Sequence, residues 1–217
     1  MTTYICLEGG EGTYKTTTAK ALAEYYRGKG LKVLETKEPG TAHLPITMKL
    51  RELMLSNEFD KDLTPAAREL ISQAIRSIHM EKLIIPTLIK EEYDLVIQDR
   101  GIFSGRVYAH ACSIPSYHIE NLEDFIMKDY FKRWDIVYDH VFVFHNQNGL
   151  QTATEAKDEF GCGDAMESRG HTFHSMVNQS FMELNTSDLT SYTLSHHDVA
   201  GKTTEELVAE CTRILVL

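Results

Sequence analysis

The sequence runs to 217 residues, 42% of them apolar and 25% charged, enough chain for one sizeable core rather than two domains. Its formal net charge is −10 with no basic run, which argues against bulk binding to nucleic acid or to an anionic membrane surface, although a few cations focused in a cleft can still serve an anionic small molecule. No apolar segment is long enough to span a bilayer, Glu8 and Glu11 interrupt the one early apolar run, and Cys6, Cys112, Cys162 and Cys211 lack paired spacing; the expectation is a cytoplasmic protein with no signal peptide, reduced thiols and no cysteine metal site.

In chain order, Tyr4 to Leu7 is a short apolar run halted by Glu8-Gly9-Gly10, the pattern of a buried strand feeding a glycine loop. Helical spacing follows from Thr16 to about Arg27, with Ala19, Leu22, Ala23 and Tyr26 on one face and Gly28 and Gly30 closing it. Leu31 to Leu34 predicts a second strand and Glu38-Pro39-Gly40 a turn. Ile46 to Leu55 and Pro65 to about Glu81 read as helices, and Pro86 opens or kinks another near Thr87 to Lys90. Leu95 to Ile97 predicts a third strand, ended by Asp99-Arg100, and Val141 to Phe144 a fourth. Asn146 to Gly170 is polar with weak periodicity. Phe173 to Leu184 resumes helical spacing, Tyr192 to Leu194 predicts a last strand, and Thr203 with Glu206 forms a capping box for a final helix. Strands alternating with helices predict an α/β fold, a mainly parallel central sheet with helices on both faces. Ligands in such sheets sit beyond the carboxyl ends of the strands, where the glycine loop, Glu38-Pro39-Gly40 and Asp99-Arg100 all fall.

Gly9 to Thr16 matches the P-loop pattern except that Tyr14 stands where the pattern has glycine. The pattern serves phosphate: backbone N–H groups converge on its oxygens, a lysine reaches the β/γ-phosphates, a hydroxyl holds Mg²⁺, and the following helix points its positive end at the anion. Lys15 and Thr16 keep those side-chain roles. Tyr14 is the anomaly, because a bulky residue disfavours positive φ and would crowd the phosphates. Asp99, after the third strand, suits Mg²⁺ or its water shell, and the Arg100 fork suits a phosphate. Taken singly, Asp99-Arg100 reads first as a surface ion pair at a strand end, and Arg51 and Arg76 as ordinary helix-face charges.

Together the motifs are more specific. Glu8 through Thr17, Lys37-Glu38-Pro39-Gly40-Thr41, Leu50-Arg51-Glu52-Leu53, Arg76, Asp99-Arg100 with Phe103-Ser104-Gly105, and Phe173 through Leu184 occur in order. That set resembles the thymidylate kinase family of P-loop nucleoside-monophosphate kinases, most strongly from Tyr4 to Ala109. The resemblance implies one P-loop kinase domain over 1–217, with a mobile lid at about 146–170. It implies an ATP-dependent enzyme that phosphorylates a deoxynucleoside monophosphate, most simply dTMP to dTDP, with Mg²⁺, as a homodimer. By position, Gly9, Gly10, Glu11, Gly12, Thr13, Tyr14, Lys15, Thr16 and Thr17, with Lys157 from the lid, would hold ATP. Thr16 and Asp99 would hold the metal. Glu11 would face the 3′-hydroxyl, Pro39 would follow a cis peptide beside the acceptor, and Arg51 and Arg100 would grip the acceptor phosphate. Arg76 would bond the base and Tyr108 pack on the sugar, with Lys37, Ser72, Ser104 and Gly105 completing the acceptor set; Lys15, Arg100 and Asp99 form the catalytic group.

Four departures stand out. Tyr14 replaces the last loop glycine, Lys37 replaces the usual arginine and loses its bidentate fork, and Ser72 stands where the family usually stacks a phenylalanine on thymine. Ala165 stands where the lid often carries an arginine, leaving Lys157 and Arg169 as the nearby cations. Ser72 implies that Phe103 fills the space from a neighbouring loop or that the pocket takes a larger or more polar base. The competing readings are a kinase for another or 5-modified deoxynucleotide and a nucleotide-binding subunit with degenerate catalysis.

Overall fold

The structure, a computed structural model, describes residues 1–123, 136–147, 164–185 and 193–215. Five parallel strands form its sheet: β1 (Thr3–Gly9), β2 (Val33–Lys37), β3 (Leu95–Asp99), β4 (His140–His145) and β5 (Leu194–Asp198), in the order β2-β3-β1-β4-β5. Its helices are α1 (Lys15–Gly28), α2 (Pro45–Leu55), α3 (Pro65–His79), α4 (Ile85–Lys90), α5 (Ile102–Ala111), α6 (Ser116–Glu123), α7 (His171–Met182) and α8 (Thr204–Ile214).

Strand residues alternate between two cores. Tyr4 and Cys6 pack with Val96, Val141 and Val143 against side chains of α5 and α7. Ile5 and Leu7 pack with Leu95, Ile97, Phe142 and Phe144 against Leu22 and Ala23 of α1 and Leu207 and Cys211 of α8. Burial on both faces explains why these strands read as unbroken apolar runs. Cys6, Cys112 and Cys211 are free thiols; Cys162 lies outside the described residues.

Register brings the motifs to one edge. Leu7 of β1 is level with Asp99 of β3, and Lys37 of β2 is level with the same Asp99. Gly9 is level with Phe144. Several elements depart from the sequence reading. β1 continues through Glu8 because that carboxylate is buried with partners. α3 runs into a single π-helical turn, Met80–Ile84, before α4. β5 starts at Leu194, the last residue of the expected strand, and runs to Asp198; Tyr192 lies outside the described residues. α5 and α6 were not anticipated, since Gly101, Ser104 and Gly105 weaken helix propensity at the start of α5. The capping box of α8 is present, with Thr203 Oγ1 accepting from Glu206 N and Thr203 N donating to Glu206 Oε2. Asp164–Gly170 is tied down: Ala165 is buried and its N–H donates to Leu55 O at 3.0 Å.

Candidate active site

β1 delivers Gly9 at the bottom of the phosphate loop. Its φ is +151°, and a Cβ there would lie 2.4 Å from Phe144 O, so only glycine passes. The loop is braced internally, with Thr13 Oγ1 donating to Gly10 O at 2.9 Å. Lys15 Nζ donates to the same carbonyl at 2.9 Å. Burial, then the neighbouring Arg100, lowers the Lys15 pKa to about 8.

Tyr14 adopts the left-handed conformation that the loop demands, φ 56° and ψ 8°, at the N-cap of α1. Its side chain is 49% exposed. The ring is turned toward solvent, and the backbone bears a cost of about 1–2 kcal/mol relative to glycine.

Opposite the loop, Thr16 Oγ1 donates to Asp99 Oδ2 at 2.5 Å. The second oxygen, Asp99 Oδ1, is buried with no hydrogen-bond partner among the described residues. Arg100 has φ 67°; its guanidinium donates to Gly9 O at 2.8 Å, pairs with Glu11, and lies 5.2 Å from the Tyr108 ring centre. Burial would lower the Arg100 pKa, but Tyr108, Glu11 and Asp99 outweigh it and raise it.

A cavity opens beside this cluster. Glu11, Pro39, Arg51, Ser72, Arg76, Arg100, Ser104, Gly105 and Tyr108 all line it. The Glu38–Pro39 peptide is cis, and Pro39 O accepts from Arg51 at 2.8 Å. Lys37 is not in the lining; it sits at the end of β2, its pKa lowered by burial and by Arg51. Thr17 is exposed on α1. Phe103 corrects an expectation: it belongs to α5 rather than a loop, is buried in the core with Tyr4 and Val107, and does not line the cavity. Tyr108 supplies the aromatic surface there, its hydroxyl pKa pushed up to about 12 mainly by burial. Asp164, Met166 and Glu167, read from sequence as part of a lid over ATP, line this same cavity. Arg169 stacks over Phe173 at 5.1 Å, and Lys157 lies outside the described residues.

Sequence reasoning passed over three buried supports. Glu8, fully buried, accepts from the N–H groups of Gly101 (2.9 Å), Phe103 (3.1 Å) and Ser104 (3.3 Å) and from the Ser104 hydroxyl. It thereby pins the start of α5, which carries Ser104, Gly105 and Tyr108. Glu38 pairs with Arg76 at 2.8 Å and with His79 at 3.0 Å. Arg68 reaches Met54 O and Asp60, tying α3 to the end of α2. For Glu8 the available signal was a carboxylate directly after an apolar run; Glu38 and Arg68 gave none.

Comparison with known proteins bears on this geometry. A family model described as thymidylate kinase matches residues 7–140. The chain belongs to the thymidylate kinase family. A thymidylate kinase of Protochlamydia amoebophila is 29% identical over 187 residues, covering 83% of this chain and 79% of that one. One from Caulobacter vibrioides is 30% identical over 182 residues, with 83% and 81% covered. The crystal structure of thymidylate kinase from Ehrlichia chaffeensis superposes with a TM-score of 0.70 at 21% identity, over 98% of both chains, a likeness of fold. The family match spans the phosphate loop, the cavity-lining arginines and Asp99-Arg100, and ends at the start of β4.

Proposed function

We propose that the protein is an ATP-dependent thymidylate kinase that transfers the γ-phosphoryl group of ATP to dTMP. The observation that carries the reading is the meeting of two half-sites: in a member of this family, a phosphate loop and an arginine-lined cavity share Arg100 and Glu11 at their junction. In this reading the loop from Gly9 to Thr17 holds the ATP phosphates, and the cavity holds the acceptor, with Arg51 and Arg100 at its phosphate, Tyr108 on the sugar and Arg76 at the base edge.

The residues at the junction suit Mg²⁺. A hydroxyl and a carboxylate with one unpartnered buried oxygen are the hard donors that this ion takes alongside substrate phosphates. Thr16 and Asp99 would hold it, and bound there it would neutralise charge on the β- and γ-phosphates. The chain's own part is positioning and charge. The acceptor phosphate is already ionised near neutral pH and needs no general base; one of its oxygens attacks the γ-phosphorus in line while the bond to the β-phosphate oxygen breaks. Lys15 and Arg100, drawn out of water beforehand, face the charge that spreads over the transferred group, so little reorganisation is needed when it develops.

The same reading has residues 1–217 acting as one catalytic domain, dimerised with a second copy and working in the cytoplasm, without nucleic acid or a membrane. Among the described residues no helix is long and apolar enough to cross a membrane. The test is ADP release with dTMP, dUMP, 5-hydroxymethyl-dUMP, dCMP and dGMP in turn, with and without Mg²⁺. Metal-dependent release with dTMP is expected; none with any acceptor would overturn the reading. A second reading, broader tolerance for the base, is favoured by Ser72 at the cavity wall and by Phe103 in the core.

A further inference from the structure

Arg76 is held from several sides at once. Its Nε donates to Glu38 Oε2 at 2.8 Å, one terminal nitrogen to Gln73 Oε1 at 3.1 Å and the other to Gly101 O at 3.1 Å. Its guanidinium lies against Gly105, where a Cβ would come within 2.9 Å and 3.0 Å of the terminal nitrogens. Glu38 is in turn held from behind. Its other oxygen meets His79 Nδ1 at 3.0 Å, and His79 Nε2 lies 2.7 Å from Thr36 Oγ1, which contacts Thr41 Oγ1 at 3.2 Å. Burial alone would raise the Glu38 pKa, but Arg76 and His79 hold it below the usual carboxylate range.

His79 is 1% exposed and does not line the cavity. It cannot meet a substrate, yet no part of the phosphoryl transfer uses it. The residue that it braces is followed by Pro39, whose carbonyl accepts from Arg51. Two neighbouring residues thus anchor two cationic arms of the acceptor cavity, and imidazole bonded to one of them fixes the segment.

We propose that His79 is a positioning residue for acceptor selection, acting through Glu38 to fix the angle at which Arg76 faces the base. A guanidinium is a planar fork, and its discrimination between a carbonyl and an amino group depends on being held in one plane. With His79 removed, Glu38 loses one of its two side-chain partners and can rotate, and Arg76 follows it. Selection at the base suffers, while the phosphate loop, built on other elements, does not. The inference rests on the assignment of this cavity to a deoxynucleotide acceptor.

The test compares His79→Leu with the unsubstituted enzyme on dTMP and dCMP, which differ at the position an arginine fork would read. KM for dTMP should rise about tenfold, and the dTMP-to-dCMP ratio of kcat/KM should fall by a similar factor, with KM for ATP within about twofold. His79→Asn, which can return a donor near the Nδ1 position, should restore most of the ratio. An unmoved ratio in an active His79→Leu enzyme overturns the inference alone; so does His79→Asn restoring thermal stability but not the ratio. An unsubstituted enzyme inactive on dTMP overturns the functional reading and this inference with it. If His79→Leu does not fold, Thr36→Val, which removes the hydroxyl behind the imidazole, decides the matter: a ratio lowered about threefold supports the inference, and an unchanged ratio overturns it.

Discussion

Lys15 gives the free enzyme its clearest pH signature. Its ammonium is desolvated beside Arg100, and its pKa falls to about 8. A lowered lysine pKa means that the charge is lost as pH rises through that value. The alkaline limb of kcat/KM for ATP, which reports the free enzyme, should therefore lie near 8. Bound phosphates favour the ammonium, so the limb of kcat should lie higher; coincident limbs would remove Lys15 from ATP binding. Lys15→Met should keep the fold, read by circular dichroism, and lower turnover by about 10²–10³. Ser72 makes a different prediction at the same scale. It lines the cavity on α3 one turn before Arg76, and Ser72→Phe would place a ring there. Base–aromatic stacking of about 1–3 kcal/mol should sharpen preference for dTMP over dUMP and 5-hydroxymethyl-dUMP in competition assays; unchanged ratios would place the base away from α3.

At the scale of elements, Glu8 is the clearest case of a strand residue serving a helix. Three backbone N–H groups at the start of α5 end on one of its oxygens, and the Ser104 hydroxyl ends on the other. Burial raises its pKa while these donors oppose the rise. Glu8→Ala leaves those donors dry and unpaired, at a cost of about 3 kcal/mol, measurable by urea unfolding. KM for the acceptor should rise more than KM for ATP, because α5 lines the cavity proposed for the acceptor; a neutral substitution would show that water replaces the carboxylate. Glu8 also shows what the sequence could and could not yield. Lys15, Thr16, Asp99 and Arg100 were legible because each follows an apolar run at a fixed spacing, and the register of β1, β2 and β3 brings those ends together. Glu8, Glu38 and His79 were not, because their partners lie 93, 38 and 41 residues away, and a buried carboxylate at a strand end looks the same in sequence as a solvated one. The role of Asp164 and Met166 was hidden for a related reason: their neighbourhood depends on how Ala165 docks on Leu55, a contact that leaves no periodicity.

Across the whole molecule, the sheet carries a second polar chain far from the phosphate loop in sequence. His140 Nε2 lies 2.7 Å from Ser195 Oγ, that oxygen 2.7 Å from His197 Nε2, and His197 Nδ1 2.9 Å from Glu210, which also pairs with Lys202 at 2.6 Å. The chain ties β4 and β5 to α8. The Ser195 hydroxyl has one proton to give, so one of the two ring nitrogens facing it must be without a proton: with His140 donating to Ser195, Ser195 donates to His197, and His197 to Glu210. Burial, then His197, pushes the His140 pKa down to about 4; burial also lowers His197, against the pull of Glu210. A depressed histidine pKa favours the folded state above the ordinary value of 6.5, and that contribution is lost as pH falls from 6.5 toward 4. Glu8 and Glu69, whose pKa values are raised mainly by burial, act in the opposite sense, so the contrast with a variant isolates the histidine. His140→Gln should flatten the decline of unfolding free energy over that window by about 1–2 kcal/mol. Parallel curves for the two proteins would deny His140 the role.

Because α3 presents a serine to the cavity and Phe103 is committed to the core, the wall one turn before Arg76 carries a small hydroxyl side chain rather than a ring. With the base seated against α3, as proposed, a nucleotide analogue with a bulky substituent at the 5-position would find room there that Ser72→Phe would close. Inhibition by such an analogue would then follow from shape, and Ser72→Phe should weaken it.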